Sequence, residues 1–441
     1  MVGKGPWQID KLEIRNFRNY DNLSIDFAPD VTLLIGENGA GKTAILDALS
    51  VLLTVPVSAF GQSGVPITND DVHAVPRNLE SVEAVATNTS VFPVSLSVTA
   101  QVGGRRWTWS REKKSAKGNT TLGDRNFRDE MKLLADKAST PDERITLPVI
   151  ASYGVERLAK KIPKGHFPQD RFRAYDRALD PRSDLKRLSQ YILFLESEAF
   201  NYFQTEGRRG GSAVKQLESI RHACNVVIQE ITGWGDMEWN GLLGDLTMSH
   251  SQFGTLPMSH LATGTKIAAG VALDIASRAA RANPHLGGES LLQETPGIVL
   301  IDEVDMHLHP KWQKRIVGQL REAFPRIQFI LTSHSPQVIG SVPTAGIRVL
   351  QNNHVYTPEF GEGLRPEIVL QQLQGVDPVP ITSNRALIDK YLALVEAGEG
   401  TSADASQLRQ QIEDELGGAA RNEEIAHADA VLAFESINWE A

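Results

Sequence analysis

Hydrophobic and polar positions alternate with a period of two over residues 7–30, where Ile9, Leu12, Ile14 and Phe17 are followed by Leu23, Ile25 and Phe27. The pattern predicts two strands joined through Arg18-Asn19-Tyr20-Asp21. A second hairpin is predicted between Phe92 and Ser110. There Val94, Leu96, Val98, Ala100 and Val102 alternate, Gly103-Gly104 forms the turn, and Trp107 and Trp109 return on one face. Three short apolar runs lack this alternation: residues 31–35, 298–301 and 329–331. They read as strands buried on both faces. Helical spacing marks five stripes: Ile45 to Leu53, closed by Pro56; Leu188 to Tyr202; Leu217 to Ile231; Ile267 to Ile275, ending before Pro284; and Trp312 to Leu320. The glycines of 207–211 separate the second and third and predict a helical hairpin. Residues 54–91 are poorly periodic and read as loop, with room for a short helix.

The chemistry gathers where the non-alternating strands end. The first runs into Gly36-Glu37-Asn38-Gly39-Ala40-Gly41-Lys42-Thr43, a complete G-x-x-x-x-G-K-[ST] phosphate loop followed by a helix. Glycines allow the backbone to close around a phosphate, and the helix start presents N–H groups and a positive dipole end. Lys42 is expected to reach the β- and γ-phosphates and Thr43 to ligate Mg²⁺. The second strand ends in Asp302-Glu303, which supplies a metal-organising carboxylate and a base for the attacking water. The two halves lie 259 residues apart in sequence, so a lobe is expected to be inserted into the nucleotide-binding core. Asp305, His307 and His309 follow the acidic strand, but no third ligand at metal-site spacing accompanies the histidines. Cys224 lies on an apolar stripe and reads as core.

In order and wording these blocks resemble the ABC-type ATPases of the SMC and RecF class. The opening Asn16-Phe17-Arg18 is similar to that family's first strand. The resemblance implies that Leu261 to Lys266, with Thr263 and Gly264, is the signature motif, Asp305 to Pro310 the D-loop, and His334 the switch histidine. Arg18, Gly36, Asn38, Gly39, Ala40, Gly41, Lys42, Thr43, Thr263, Gly264 and Asp305 are then nucleotide-binding. Lys42, Glu303 and His334 are catalytic, and Thr43 and Asp302 hold the metal. Ala262 stands where the family usually has a serine, which predicts slow turnover. "LIGENGAGKTAILDAL", "IVLIDEVDMHLHPKWQ" and "FILTSHSPQVI" are closer still to the PtuA-like ATPase subunit of Septu and type I retron anti-phage systems. That likeness implies ATP and Mg²⁺ as cofactors, a homodimer with each ATP clasped between two chains, and a separate PtuB-like HNH nuclease. A retron reverse transcriptase with its nucleic acid is a further implied partner. The expected fold is α/β. An ABC/SMC-type P-loop core is formed by 1–150 and 246–350, with an inserted helical lobe at 151–245 and a helical, acidic extension at 351–441.

Composition narrows the partners. A net charge of −9 argues against a uniformly basic nucleic-acid coat. Residues 151–190 nevertheless carry ten Lys/Arg against five Asp/Glu, and Arg105, Arg106, Arg111, Lys113, Lys114 and Lys117 cluster near Trp107 and Trp109. Either cluster is a phosphate-binding surface or a solvated, charge-protected edge. Residues 383–441 hold twelve acids against four bases, and this tail either docks a partner or packs back on the core. No nuclease constellation follows His334, so cutting of DNA by this chain is not expected. One cysteine, no apolar run of membrane length and no secretory leader favour the cytoplasm. A RecF-like repair factor and a non-hydrolysing assembly scaffold stay open as alternatives.

Overall fold

A computed structural model describes residues 5–76, 88–140, 144–155, 170–181, 186–377, 382–416 and 422–437. Strands β1 (Trp7–Phe17), β2 (Tyr20–Asp26) and β3 (Val31–Gly36) lead into helix α1 (Lys42–Ser58). Next come the short pair β4 (Ala74–Pro76) and β5 (Asn88–Ser90), the hairpin β6 (Val94–Val102) and β7 (Arg105–Lys113), α2 (Arg125–Ala138) and β8 (Val149–Tyr153). The helices α3 (Lys186–Glu206), α4 (Gly211–Cys224) and α5 (Glu230–Thr232) precede a small sheet of β9 (Trp234–Asn240), β10 (Asp245–His250) and β11 (Gly254–Pro257). The chain then forms α6 (Thr263–Ala282), α7 (Glu289–Glu294), β12 (Gly297–Ile301), α8 (Pro310–Gln313), α9 (Ile316–Ala323), β13 (Ile327–Thr332), α10 (Pro336–Ile339), β14 (Ile347–Gln351), β15 (His354–Tyr356) and α11 (Pro366–Ile368). Three helices end it: α12 (Ser383–Glu396), α13 (Ala403–Leu416) and α14 (Glu423–Ile437).

The central sheet has six strands in the order β15-β14-β3-β13-β12-β8, parallel except for the β15 edge. Its inner strands alternate between two cores, as a period of two requires. Leu33, Val299 and Leu331 pack with α4, α6 and α9, while Leu34, Leu300 and Ile330 pack with α1 and the antiparallel sheet β2-β1-β6-β7. Covering both faces explains why these strands read as unbroken apolar runs. Gln328 pins the two sheets together: its amide donates to Ile9 O at 2.9 Å and Ala28 O at 2.7 Å, and accepts from Ile9 N at 2.7 Å.

Several boundaries differ from the sequence expectation. Residues 1–374 form one compact unit and 375–441 another, so residues 351–374, expected in the extension, belong to the first unit. The reason is visible in β15, which completes the central sheet at 354–356. Residues 151–153 are likewise core strand rather than lobe, and the lobe contains the β9–β11 sheet beside its helices. Helix α1 continues through Pro56 to Ser58, since proline so near the end disrupts little. The stripe from Trp312 to Leu320 is split between α8 and α9.

In the second unit, Ile388, Tyr391, Ala405, Ile412, Ile425 and Ala428 form a small core of their own. Arg409 and Tyr391 both bond Asp429, at 2.8 Å each. In the first unit, Asp274 on α6 pairs with Arg278 at 2.7 Å and accepts the Tyr153 hydroxyl at 2.8 Å.

Candidate nucleotide site

The parallel register sets the site. In an α/β sheet, ligands bind beyond the carboxyl ends of the strands. Here β3 delivers the phosphate loop, β12 delivers Asp302-Glu303, and β13, between them, delivers Thr332-Ser333-His334. Gly36 closes β3 against β14, where a Cβ would lie 2.5 Å from Leu350 O. Gly41 is the N-cap of α1 at φ 91° and provides no side-chain cap, so the helix start keeps its donors for a ligand. Asn38 and Gly39 lie exposed at the rim of the loop.

Lys42 Nζ donates to Gly36 O and Glu37 O, both at 2.9 Å. Burial pushes the Lys42 pKa down, opposed by the charges of Asp302 and Glu303. The two distant halves meet directly: Thr43 Oγ1 donates to Asp302 Oδ2 at 3.0 Å. Thr332 steadies the acidic pair, donating to Asp302 Oδ1 at 2.6 Å and accepting from Glu303 N at 2.7 Å. Asp302 N donates to Tyr153 O at 2.8 Å. Glu303 adopts φ 48°, an uncommon left-handed backbone for a non-glycine residue, just where the strand turns out of the sheet.

His334 follows β13, and its carbonyl accepts from Gln374 Nε2 at 2.9 Å. Burial and the Lys42 charge hold the His334 pKa below its ordinary value, against Asp305, Glu303 and Asp302. The imidazole is thus favoured in its neutral form. Asp305 Oδ1 is buried and has no hydrogen-bond partner among the described residues. Gly264 packs on the turn after β12, where a Cβ would stand 2.3 Å from His307 O. Ala262 is the N-cap of α6 and provides no side-chain hydrogen bond. Thr263 opens that helix.

Arg18 is engaged by two carboxylates. It is ion-paired with Asp47 on α1, and its Nε donates to Asp71 Oδ1 at 2.9 Å. Asp71 also accepts from Thr68 N and Thr68 Oγ1, so it organises the segment after α1. Sequence reading missed Thr332, Tyr153 and Gln374. Thr332 and Tyr153 close strands that end beside the acidic pair, and only strand order reveals that. Cys224 is buried, and burial pushes its thiol up to about 12, as a core residue requires.

The basic clusters divide where they are described: Arg111, Lys113 and Arg171 are held by backbone carbonyls, while Arg105, Arg106, Lys114, Lys117, Arg173 and Arg177 are exposed. Arg171 donates to Ala282 O, Ala138 O and Ile145 O, while Arg173 and Arg177 pair with Asp176 and Asp180. The bases at 157–164 and 182 lie outside the described residues. In the hairpin, Arg111 is buried and donates to Thr121 O, Val51 O and Val65 O, and Trp109 stacks on Phe127. No helix among the described residues is long and apolar enough to cross a membrane.

The residues present suit a magnesium nucleotide: an uncapped helix start, a lysine above it, and a buried carboxylate joined to the loop threonine through neutral hydroxyls. Comparison with known proteins gives ATPase relatives. The chain is 24% identical over 478 residues to the retron Ec83 probable ATPase of Escherichia coli, covering 94% of this chain and 84% of the relative. It is 24% identical over 351 residues to the Septu protein PtuA of Bacillus mycoides, covering 78% of this chain and 40% of that one. Among solved structures, an Smc head bound to the C-terminal winged-helix domain of ScpA superposes with TM-score 0.50 at 15% identity, over 80% of this chain and 98% of that one. That likeness concerns the fold. A family model described as an AAA domain matches residues 11–232, half of the sequence. The chain therefore belongs to the AAA domain family, and its α/β core has the fold of an SMC head.

Proposed function

We propose that the chain is the ATP-binding and ATP-hydrolysing subunit of an anti-phage defence complex, in which it binds and controls a separate HNH nuclease. The observation that carries the nucleotide part is the Thr43–Asp302 bond, which closes the phosphate loop onto the acidic strand. The defence part rests on the relatives named for retron and Septu systems.

Lys42 and the first turn of α1 hold the phosphates. Thr43 and Asp302 hold Mg²⁺, which when bound neutralises charge on the phosphate oxygens. Glu303 orients and deprotonates the attacking water, and neutral His334 donates toward the γ-phosphate. Arg18, Asn38, Gly39, Ala40 and Asp305 complete the chain's own share. Thr263 and Gly264 act on the nucleotide of a second copy, in a two-fold homodimer. The acidic helices after 383 are the docking element for the nuclease.

The test uses the purified full chain beside its Lys42→Ala variant. Mg-ATP binding by the parent, lost in the variant together with phage protection and nuclease control, is the expected result. Protection undiminished in Lys42→Ala overturns the reading. A second reading, an ATP-dependent scaffold without turnover, is favoured by Ala262, which caps α6 without a hydroxyl. Equal turnover in Glu303→Gln and the parent would decide for the scaffold.

A further inference from the structure

The turn between β1 and β2 reaches the phosphate loop from outside the nucleotide motifs. Asn19 Nδ2 donates to Gly39 O at 2.7 Å, and the Tyr20 hydroxyl donates to Ala40 O at 2.7 Å. Arg18, the residue before them, is ion-paired with Asp47 in α1. Three successive residues thus grip the loop and the helix it feeds.

We infer that Asn19 and Tyr20 are positioning residues that hold the phosphate loop in its nucleotide-accepting shape. This rests on the nucleotide reading above and deepens it. The physical reason lies in the peptide unit, which is planar and trans, so that a carbonyl and the next N–H point in opposite directions. Tyr20, by taking Ala40 O, turns the Gly41 N–H to the far side of that peptide. Asn19, by taking Gly39 O, does the same for the Ala40 N–H, which donates inward to Glu37 O at 3.2 Å. Two consecutive peptide planes are fixed from one side: the Ala40 N–H is used within the loop, on Glu37 O, and the Gly41 N–H is left on the far side.

The loop needs such help. Gly39 and Gly41 have φ 84° and 91°, and glycine loses more freedom on ordering than any other residue. A loop already ordered binds its ligand more tightly than one that must be ordered on binding. Tyr20 and Gly41 are also matched in space: a Cβ on Gly41 would sit 2.4 Å from the Tyr20 hydroxyl. Tyr20 is 1% exposed, and burial raises its phenol pKa, so it remains a donor at neutral pH.

The experiment measures the Kd for Mg-ATP, KM and kcat, and the melting temperature without nucleotide, on the full chain. Tyr20→Phe keeps the ring and removes only the donor. It should weaken ATP binding about three- to tenfold, the reach of one hydrogen bond, raising KM with little change in kcat or in melting temperature. Asn19 is exposed, so its variants keep the fold even if Tyr20→Phe does not. Asn19→Asp, which sets carboxylate oxygens against Gly39 O, should bind ATP more weakly than Asn19→Ala. If the parent binds no ATP, the nucleotide reading itself is overturned. If the parent binds and all three variants match it, the positioning role alone falls. Lower melting temperatures at unchanged Kd would assign both residues to folding and overturn the role as well.

Discussion

Two carboxylates at similar depth have opposite surroundings. Asp274, on α6, is 5% exposed, and Asp302, past the end of β12, is 9% exposed. Asp274 is paired with Arg278 and bonded by Tyr153, and Arg278 lies as deep. Burial works against its charge, yet Arg278 and Arg281 hold its carboxyl below the usual range. Asp302 accepts instead from the hydroxyls of Thr43 and Thr332, and among the described residues it forms no ion pair. Taking an ion out of water is costly unless an opposite charge accompanies it. The first carboxylate is compensated by the chain and serves cohesion. The second is offset within the chain only by hydroxyl donors and the charge of Lys42, an arrangement that suits the cation proposed above.

The comparison can be broken most directly at Asp302. Asp302→Asn should reduce Mg-ATP turnover on the order of 10⁴-fold, the several kcal/mol that metal charge stabilisation supplies. Its melting temperature without nucleotide should stay the same or rise, because a buried carboxylate that forms no ion pair has been neutralised. A clear loss of stability in this variant would make Asp302 a second Asp274.

Asp274→Asn should do the reverse. It leaves Arg278 buried without its partner and should cost about 3–5 kcal/mol in urea unfolding. Stability equal to the parent's would show that the pair contributes nothing to cohesion. Acid titration sharpens the same point. The folded Asp274 carboxyl lies below its ordinary value near 3.8, so its contribution is present above that pH and is lost as pH falls through the lower, folded value. Unfolding free energies measured from about pH 5 to 2 should show this acid step in the parent and a diminished one in Asp274→Asn. The smallest effect is expected at the rim. Ala262→Ser restores one hydroxyl at the start of α6 and should raise turnover by about tenfold at most, the worth of one hydrogen bond, with no change in the slope of unfolding against urea.

The sequence alone determined the pieces of the site. Residues 36–43 and 298–303 carry their chemistry in local order, because a phosphate loop is a property of one strand, one turn and one helix start. The hairpin at 94–113 and the helix at 263–282 were legible for the same reason, since their periodicity is local. Tertiary structure decided which of the pieces touch. That Thr332 would brace Asp302, and that Tyr153 would carry both Asp302 on its backbone and Asp274 on its side chain, follows from strand order, and pairing between distant strands leaves no local trace. The same holds for the edge strands β8 and β15, which are fixed only by the neighbours they complete; β8 is as long as β12, and β15 spans three residues. Charge was the least readable property: Arg111 and Arg171 looked like surface bases and are held by backbone carbonyls, because burial depends on what folds over a residue and not on the residue itself.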